Sequence, residues 1–223
     1  YKAINNERKS QSKIICSTHV ANPQSEYQKE FAEWVGKLAR EYECLMFDHE
    51  VPVFKHYSCC FCPRCLKEFS RQYSIKGKIK RWHLLTRYKD KWVDFKCRQN
   101  AQIMKLIRKY AHQANPKCKL FMYCGYEKPL FHSHAGVNFK YCNDSVDVVT
   151  CGYGRPIDRI NLTKKLIAPT PLVGGECIWW RHGANYDLSK VRPRLFRRIT
   201  DSLGGMFLFY TTYVDGRFWN AVG

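Results

Sequence analysis

Six short apolar runs, at 13–20, 44–50, 119–124, 146–151, 171–180 and 205–212, constrain the fold more than any other feature of this sequence. They are near-continuous rather than alternating, as strands are when both faces of a sheet are covered. Between them lie stretches with helical spacing. Tyr27, Phe31, Trp34, Val35 and Leu38 mark a helix over 25–41, opened by a capping box of Ser25 and Gln28. Leu66 and Phe69 mark one over 65–73, and Trp92, Phe95, Ile103, Leu106, Ile107 and Tyr110 share a stripe over 87–113. Shorter helices are predicted around 159–166 and from Asp187 onward, with a loop at 76–82. Strand followed by helix, repeated, predicts an α/β fold with a parallel sheet under helices. At 223 residues the chain can bury one substantial core. Residues 13–223 therefore read as a single (β/α)₈ TIM-barrel-like domain of about six βα units behind a lead-in at 1–12.

Two of the runs carry carboxylates where a barrel keeps its active site, toward the C-terminal ends of its strands. The first is Leu45-Met46-Phe47-Asp48-His49-Glu50. The second, at 171–180, holds Glu176 behind Gly174-Gly175 and ahead of Trp179-Trp180. A retaining glycosidase needs two carboxylates, one acting as acid then base and the other as nucleophile. Glu50 and Glu176 are the candidates, with Asp48, His49, Tyr123, Tyr153, Trp179, Trp180 and Trp219 as candidate substrate contacts. His19 and Tyr126 also fall near predicted strand ends.

The loop after Glu50 reads Cys59-Cys60-Phe61-Cys62-Pro63-Arg64-Cys65. Three thiols within six residues favour a structural zinc ion, with a fourth ligand completing a tetrahedron. Cys60, Cys62 and Cys65 form the core of this site over 56–65, and Cys59, His56 and Cys16 are the candidates for the fourth position. The chain has 12 cysteines, several inside predicted strands, which fits free core thiols plus one metal cluster better than a disulfide framework.

The segment Cys60-Phe-Cys-Pro-Arg-Cys65-Leu-Lys-Glu-Phe69 resembles the Cys-x-Cys-x-x-Cys-x-x-x-Phe stretch after the acid/base strand of family 42 β-galactosidases, members of glycoside hydrolase clan A. In that family these cysteines belong to a structural zinc site. The resemblance implies that the last run is strand eight, that Glu50 ends strand four as acid/base, and that Glu176 lies on strand seven as nucleophile. It also implies that the first two strands lie upstream of Tyr1. One position departs from the pattern: clan A places Asn before the acid/base, where this chain has His49.

The resemblance thus implies a retaining, β-galactosidase-like glycoside hydrolase. The net charge of +19, from 38 basic and 19 acidic residues, suggests an anionic glycan or an acidic partner. The same charge, the short chain and His49 also fit a catalytically silent barrel used for binding or assembly, homo-oligomers included. Nucleic acid is disfavoured, because the aromatics among the basic residues 76–98 follow core spacing in their helical part. No apolar run reaches the roughly 18–20 residues of a membrane span, and the polar start, Tyr1 to Gln11, is unlike a secretory leader. Cytoplasmic and secreted locations both stay open.

Overall fold

The computed structural model describes residues 2–4, 10–48, 60–152, 157–178 and 206–210. Its first two strands, β1 (Lys2–Ile4) and β2 (Ser10–Ile15), pair antiparallel as a small separate sheet. The strand expected over 13–20 therefore stops at Ile15, and a short helix α1 (Ser17–Ala21) replaces its second half. The reason is local. The carbonyl of Cys16 accepts from the amides of His19 and Val20, turning the chain into a helix.

Helix α2 (Tyr27–Glu41) leads to β3 (Cys44–Asp48), the first strand of a five-stranded parallel sheet. After β3 come α3 (Pro63–Gln72), α4 (Arg81–Leu85) and the long α5 (Lys89–Ala114). Strand β4 (Lys119–Gly125), helices α6 (Pro129–His134) and α7 (Phe139–Cys142), then β5 (Val148–Gly152) follow. Helix α8 (Ile157–Ile167), β6 (Leu172–Ile178) and β7 (Met206–Tyr210) complete the described elements. The sheet order is β3-β4-β5-β6-β7, the order of the chain itself. A doubly wound sheet reverses its strand order partway. Among the described strands this one only advances, so it is singly wound, the order that a (β/α)₈ barrel also has.

In the pairing register Asp48 stands beside Tyr123, and Tyr123 beside Thr150. Alternation along β3 sends Leu45 and Phe47 toward the core. Cys44, Met46 and Asp48 point the other way and are exposed, Met46 at 61%. Among the described residues β3 and β7 each have a neighbour on one side only.

Two apolar clusters hold these elements. The larger packs Leu120, Met122, Cys124, Val149, Cys151 and Leu172 of the sheet under α2, α5 and α8. The smaller gathers Phe61, Phe69, Leu84, Trp92 and Phe95 around the cysteine segment. Helix α5 serves both, because its 26 residues span about 39 Å at 1.5 Å per residue. Trp92 and Phe95 enter the smaller cluster; Met104, Leu106, Ile107 and Ala111 enter the larger.

Two expectations about α2 do not hold. Trp34 is 56% exposed and stacks on the outer side of Phe31, their centroids 6.3 Å apart. The capping box does not form: the Gln28 amide donates to the carbonyl of Val20 at 2.6 Å and accepts from the Tyr110 hydroxyl at 2.5 Å. The predicted loop over 76–82 is irregular only as far as Lys80, since Trp82 lies in α4. Among the described residues no helix is long and apolar enough to cross a membrane.

Candidate functional site

The parallel sheet delivers its C-terminal strand ends to one rim. Asp48 ends β3 and is exposed; Tyr123 beside it is 1% exposed, and Thr150 beside Tyr123 is 5% exposed. The Thr150 hydroxyl donates to the carbonyl of Met122 at 3.0 Å, which locks its rotamer. Glu176 lies in β6, its backbone paired with Leu208 of β7. Strands β4 and β5 separate the strand of Asp48 from that of Glu176. Glu50, His49, Tyr153, Trp179, Trp180 and Trp219 lie outside the described residues, as do Cys59 and His56.

Just past β4 the chain makes a buried polar knot that nothing in the residue pattern announces. Glu127 is 7% exposed, with Oε1 2.5 Å from His132 Nε2 and Oε2 accepting from the amide of Phe139 at 3.3 Å. Its own amide donates to the buried Thr163 hydroxyl at 2.9 Å, which donates in turn to the carbonyl of Arg159. The knot pins α6, α7 and α8 to the rim. At Gly125, the last residue of β4, an added Cβ would collide with the ring of Phe131, so only glycine lets α6 lie this close.

The second constellation is the thiol cluster. Cys16, Cys60, Cys62 and Cys65 bring their sulfurs within 4.8 Å of one another. Cys16 Sγ is 3.5 Å from Cys62 Sγ and 3.4 Å from Cys65 Sγ. Local structure explains how. Cys62 is the N-cap of α3, Pro63 opens the helix, and the amide of Cys65 donates to Cys62 Sγ at 3.5 Å. Cys16 arrives from the other side, at the turn between β2 and α1. Among the described residues, Cys16 is thus the candidate that joins the three clustered cysteines.

The chemistry of this donor set suits a metal. A tetrahedral zinc with sulfurs at about 2.3 Å separates them by roughly 3.8 Å, close to the spacing here. Hydrogen bonds from Cys60, Cys62 and Cys65 push the Cys16 thiol below its ordinary pKa. The same contacts with Cys16, together with burial, push Cys62 and Cys65 upward. Four buried sulfurs packed this closely would repel one another as thiolates, and a cation among them would relieve that repulsion. Among the described residues no cysteine forms a disulfide, and all but Cys44 are buried.

His19 is not a strand-end residue: it is buried in α1, its Nδ1 2.6 Å from Arg64 Nη1. Burial and the neighbouring Arg64 charge hold its pKa below the usual histidine value. Arg64 and Thr18 also border a groove of about 670 Å³ between α1, α3 and α5, edged by Lys67, Arg71 and Arg98.

No family model matches this chain, and no curated protein sequence does. Solved structures do match its fold. The PgaB (BpsB) glycoside hydrolase domain from Bordetella bronchiseptica superposes with a TM-score of 0.63 at 13% identity, over 94% of this chain and 64% of that one. The beta-galactosidase from Bacillus circulans sp. alkalophilus gives 0.61 at 13% identity, over 93% of this chain and 37% of that one. The chain thus spans less than two thirds of either structure. The fold is glycosidase-like, an α/β arrangement of parallel strands and helices.

Proposed function

We propose that this chain is the core of a retaining, β-galactosidase-like glycoside hydrolase of clan A, with Glu50 as acid/base and Glu176 as nucleophile. The observation that carries the reading is the sheet order. Counted from β7 as strand eight, β3 is strand four and β6 is strand seven; Glu176 lies in β6 and Glu50 follows the last residue of β3 by two positions in the sequence, which supports assigning them as this clan's pair. The two structural neighbours, both named as glycoside hydrolases or their domains, support the same reading. In the double displacement the Glu176 carboxylate attacks the anomeric carbon while Glu50 protonates the departing glycosidic oxygen. Glu50 then takes a proton from the water that releases the sugar. Asp48, His49, Tyr123, Tyr153, Trp179, Trp180 and Trp219 are the proposed sugar contacts. The net charge of +19 favours an anionic glycan as substrate.

Zinc is the proposed metal of the thiol cluster, held by Cys16, Cys60, Cys62 and Cys65, with a structural part and none in the chemistry. Four thiolates leave no open position for a substrate or water, which is what separates a structural zinc from a catalytic one.

The test is hydrolysis of aryl β-galactosides and of uronate-containing oligosaccharides, with the anomeric form of the first product read by NMR. Retention of configuration is expected, and Glu176→Gln is expected to fall to background with its circular dichroism unchanged. Unaltered activity in Glu176→Gln overturns the mechanism. A folded wild type that binds these glycans but cleaves none of them makes the chain a binding barrel instead.

A further inference from the structure

We propose that Lys96 is the buried counter-charge of the metal centre, its ammonium offsetting part of the negative charge that four thiolates leave on a divalent ion. The inference rests on the metal reading above. Lys96 sits in α5 and is 1% exposed. Its Nζ donates to Ser17 Oγ at 2.5 Å and to Gln99 Oε1 at 3.1 Å, and lies 5.5 Å from the centre of the Trp92 ring. All three partners are neutral, and among the described residues Lys96 has no carboxylate partner. A buried ammonium without an anion is costly, and proteins keep one only where a charge nearby answers it.

The hydrogen bonds point to that charge. Ser17 and Thr18 directly follow Cys16. Gln99 accepts from Lys96 through Oε1 and donates through Nε2 to the Thr18 hydroxyl. The Thr18 oxygen lies 2.9 Å from Cys65 Sγ. Because that oxygen already accepts from Gln99, its own proton is left to point at the sulfur. Each link therefore donates in one direction, from ammonium to thiolate, the polarity that stabilises a metal-bound sulfur. A divalent ion with four thiolates carries two net negative charges. The Lys96 ammonium cancels one, and the N-terminus of α3, which begins at Cys62 and Pro63, supplies partial positive charge against the other.

The variants Lys96→Met and Lys96→Gln test this in the full chain. Met keeps the stem against Trp92, whereas Gln keeps a hydrogen-bond donor; both remove the charge. Zinc affinity is read by competition with a chromophoric chelator, and stability by urea unfolding with and without zinc. Both variants are expected to bind zinc about 10–100-fold more weakly, the usual effect of losing an outer-shell partner. Without metal, both are expected to unfold at the same urea concentration as wild type or higher, since a buried charge lacking its anion has gone. Zinc affinity within twofold of wild type in both variants overturns the assignment. So does an equal loss of stability with and without zinc, which marks a packing role alone. A wild-type chain that takes up no zinc overturns the metal reading itself, and Lys96 with it.

Discussion

Phe69→Ala tests how the aromatic cluster supports the thiol site. Phe69 is fully buried in α3, four residues after Cys65, so the ring and the thiol share one helix face. Its ring centroid lies 4.9 Å from Tyr73, 5.2 Å from Trp92, 5.6 Å from Phe95 and 6.4 Å from Tyr88. Truncating a buried phenylalanine costs about 3–5 kcal/mol through lost transfer energy and the cavity left behind. The edge-on contacts with Trp92 and Phe95 belong to the favoured aromatic geometry, each worth about 0.5–1.5 kcal/mol beyond area, which puts this site in the upper part of that range. About 4–5 kcal/mol is expected, or a fall in Tm of about 8–20 °C for a chain of this size. Urea unfolding at one fixed zinc concentration, followed by far-UV circular dichroism, measures it. Trp34→Ala serves as the control: that ring is large but 56% exposed, and less than about 1 kcal/mol should be lost. If Phe69→Ala costs under about 1 kcal/mol, or no more than the Trp34 control, the cluster is not the rigid support of the thiols.

Two further predictions concern polar groups. Asp147 accepts from Arg108 at 3.0 Å, from the amide of Leu120 at 2.9 Å, and lies 3.2 Å from His112 Nε2. Burial pushes its pKa up, but the Leu120 amide and the Arg108 guanidinium outweigh it and hold the carboxyl below its ordinary value. A depressed carboxylate stabilises the fold above its unfolded-state pKa and loses that contribution as pH falls through the folded value. Asp147→Asn should therefore cost about 1.5–3 kcal/mol at neutral pH and flatten the loss of stability below about pH 4, both read by urea titration across pH. An unchanged acid limb refutes the assignment. Thr163→Val strands the buried amide of Glu127 and should cost about 1–3 kcal/mol, with faster hydrogen exchange at that amide. Undiminished protection there means the knot beyond β4 has another support.

The sheet was legible because its strands read as nearly unbroken apolar runs: β4 is buried from Met122 to Gly125, and β3 keeps the run although Cys44, Met46 and Asp48 are exposed. The stretch at 13–20 held as a strand only to Ile15, for a reason that hydropathy cannot register. Ile14 and Ile15 do end strand β2, but the carbonyl of Cys16 starts a helix and its thiol joins the cysteine cluster. Cys16 was one of three candidates for the fourth ligand, and spacing alone could not choose, since its partners lie 46 and 49 residues away. Lys96 was hidden differently. It falls among the basic residues of 76–98, and only its burial, with the ammonium 5.5 Å from the centre of the Trp92 ring, shows it to be interior. Glu127 and His132 carried no signal either, because the turn that joins them depends on Gly125 admitting Phe131.

The thiol cluster, with the metal proposed for it, also bears on the strand that precedes the proposed acid/base. The segment between β3 and α3 holds the proposed acid/base, and both of its ends are anchored. Asp48 is held in the ladder beside Tyr123, and Cys60 is held in the thiol cluster. Cys16 ties that second anchor to α1, which packs on α5. A chain segment anchored at both ends has less conformational freedom than one anchored at a single end. Positioning of a catalytic group to within a fraction of an ångström depends on such support from behind. In the proposed mechanism, then, the metal acts on the acid through the chain, and Lys96 acts on the metal through Gln99 and Thr18.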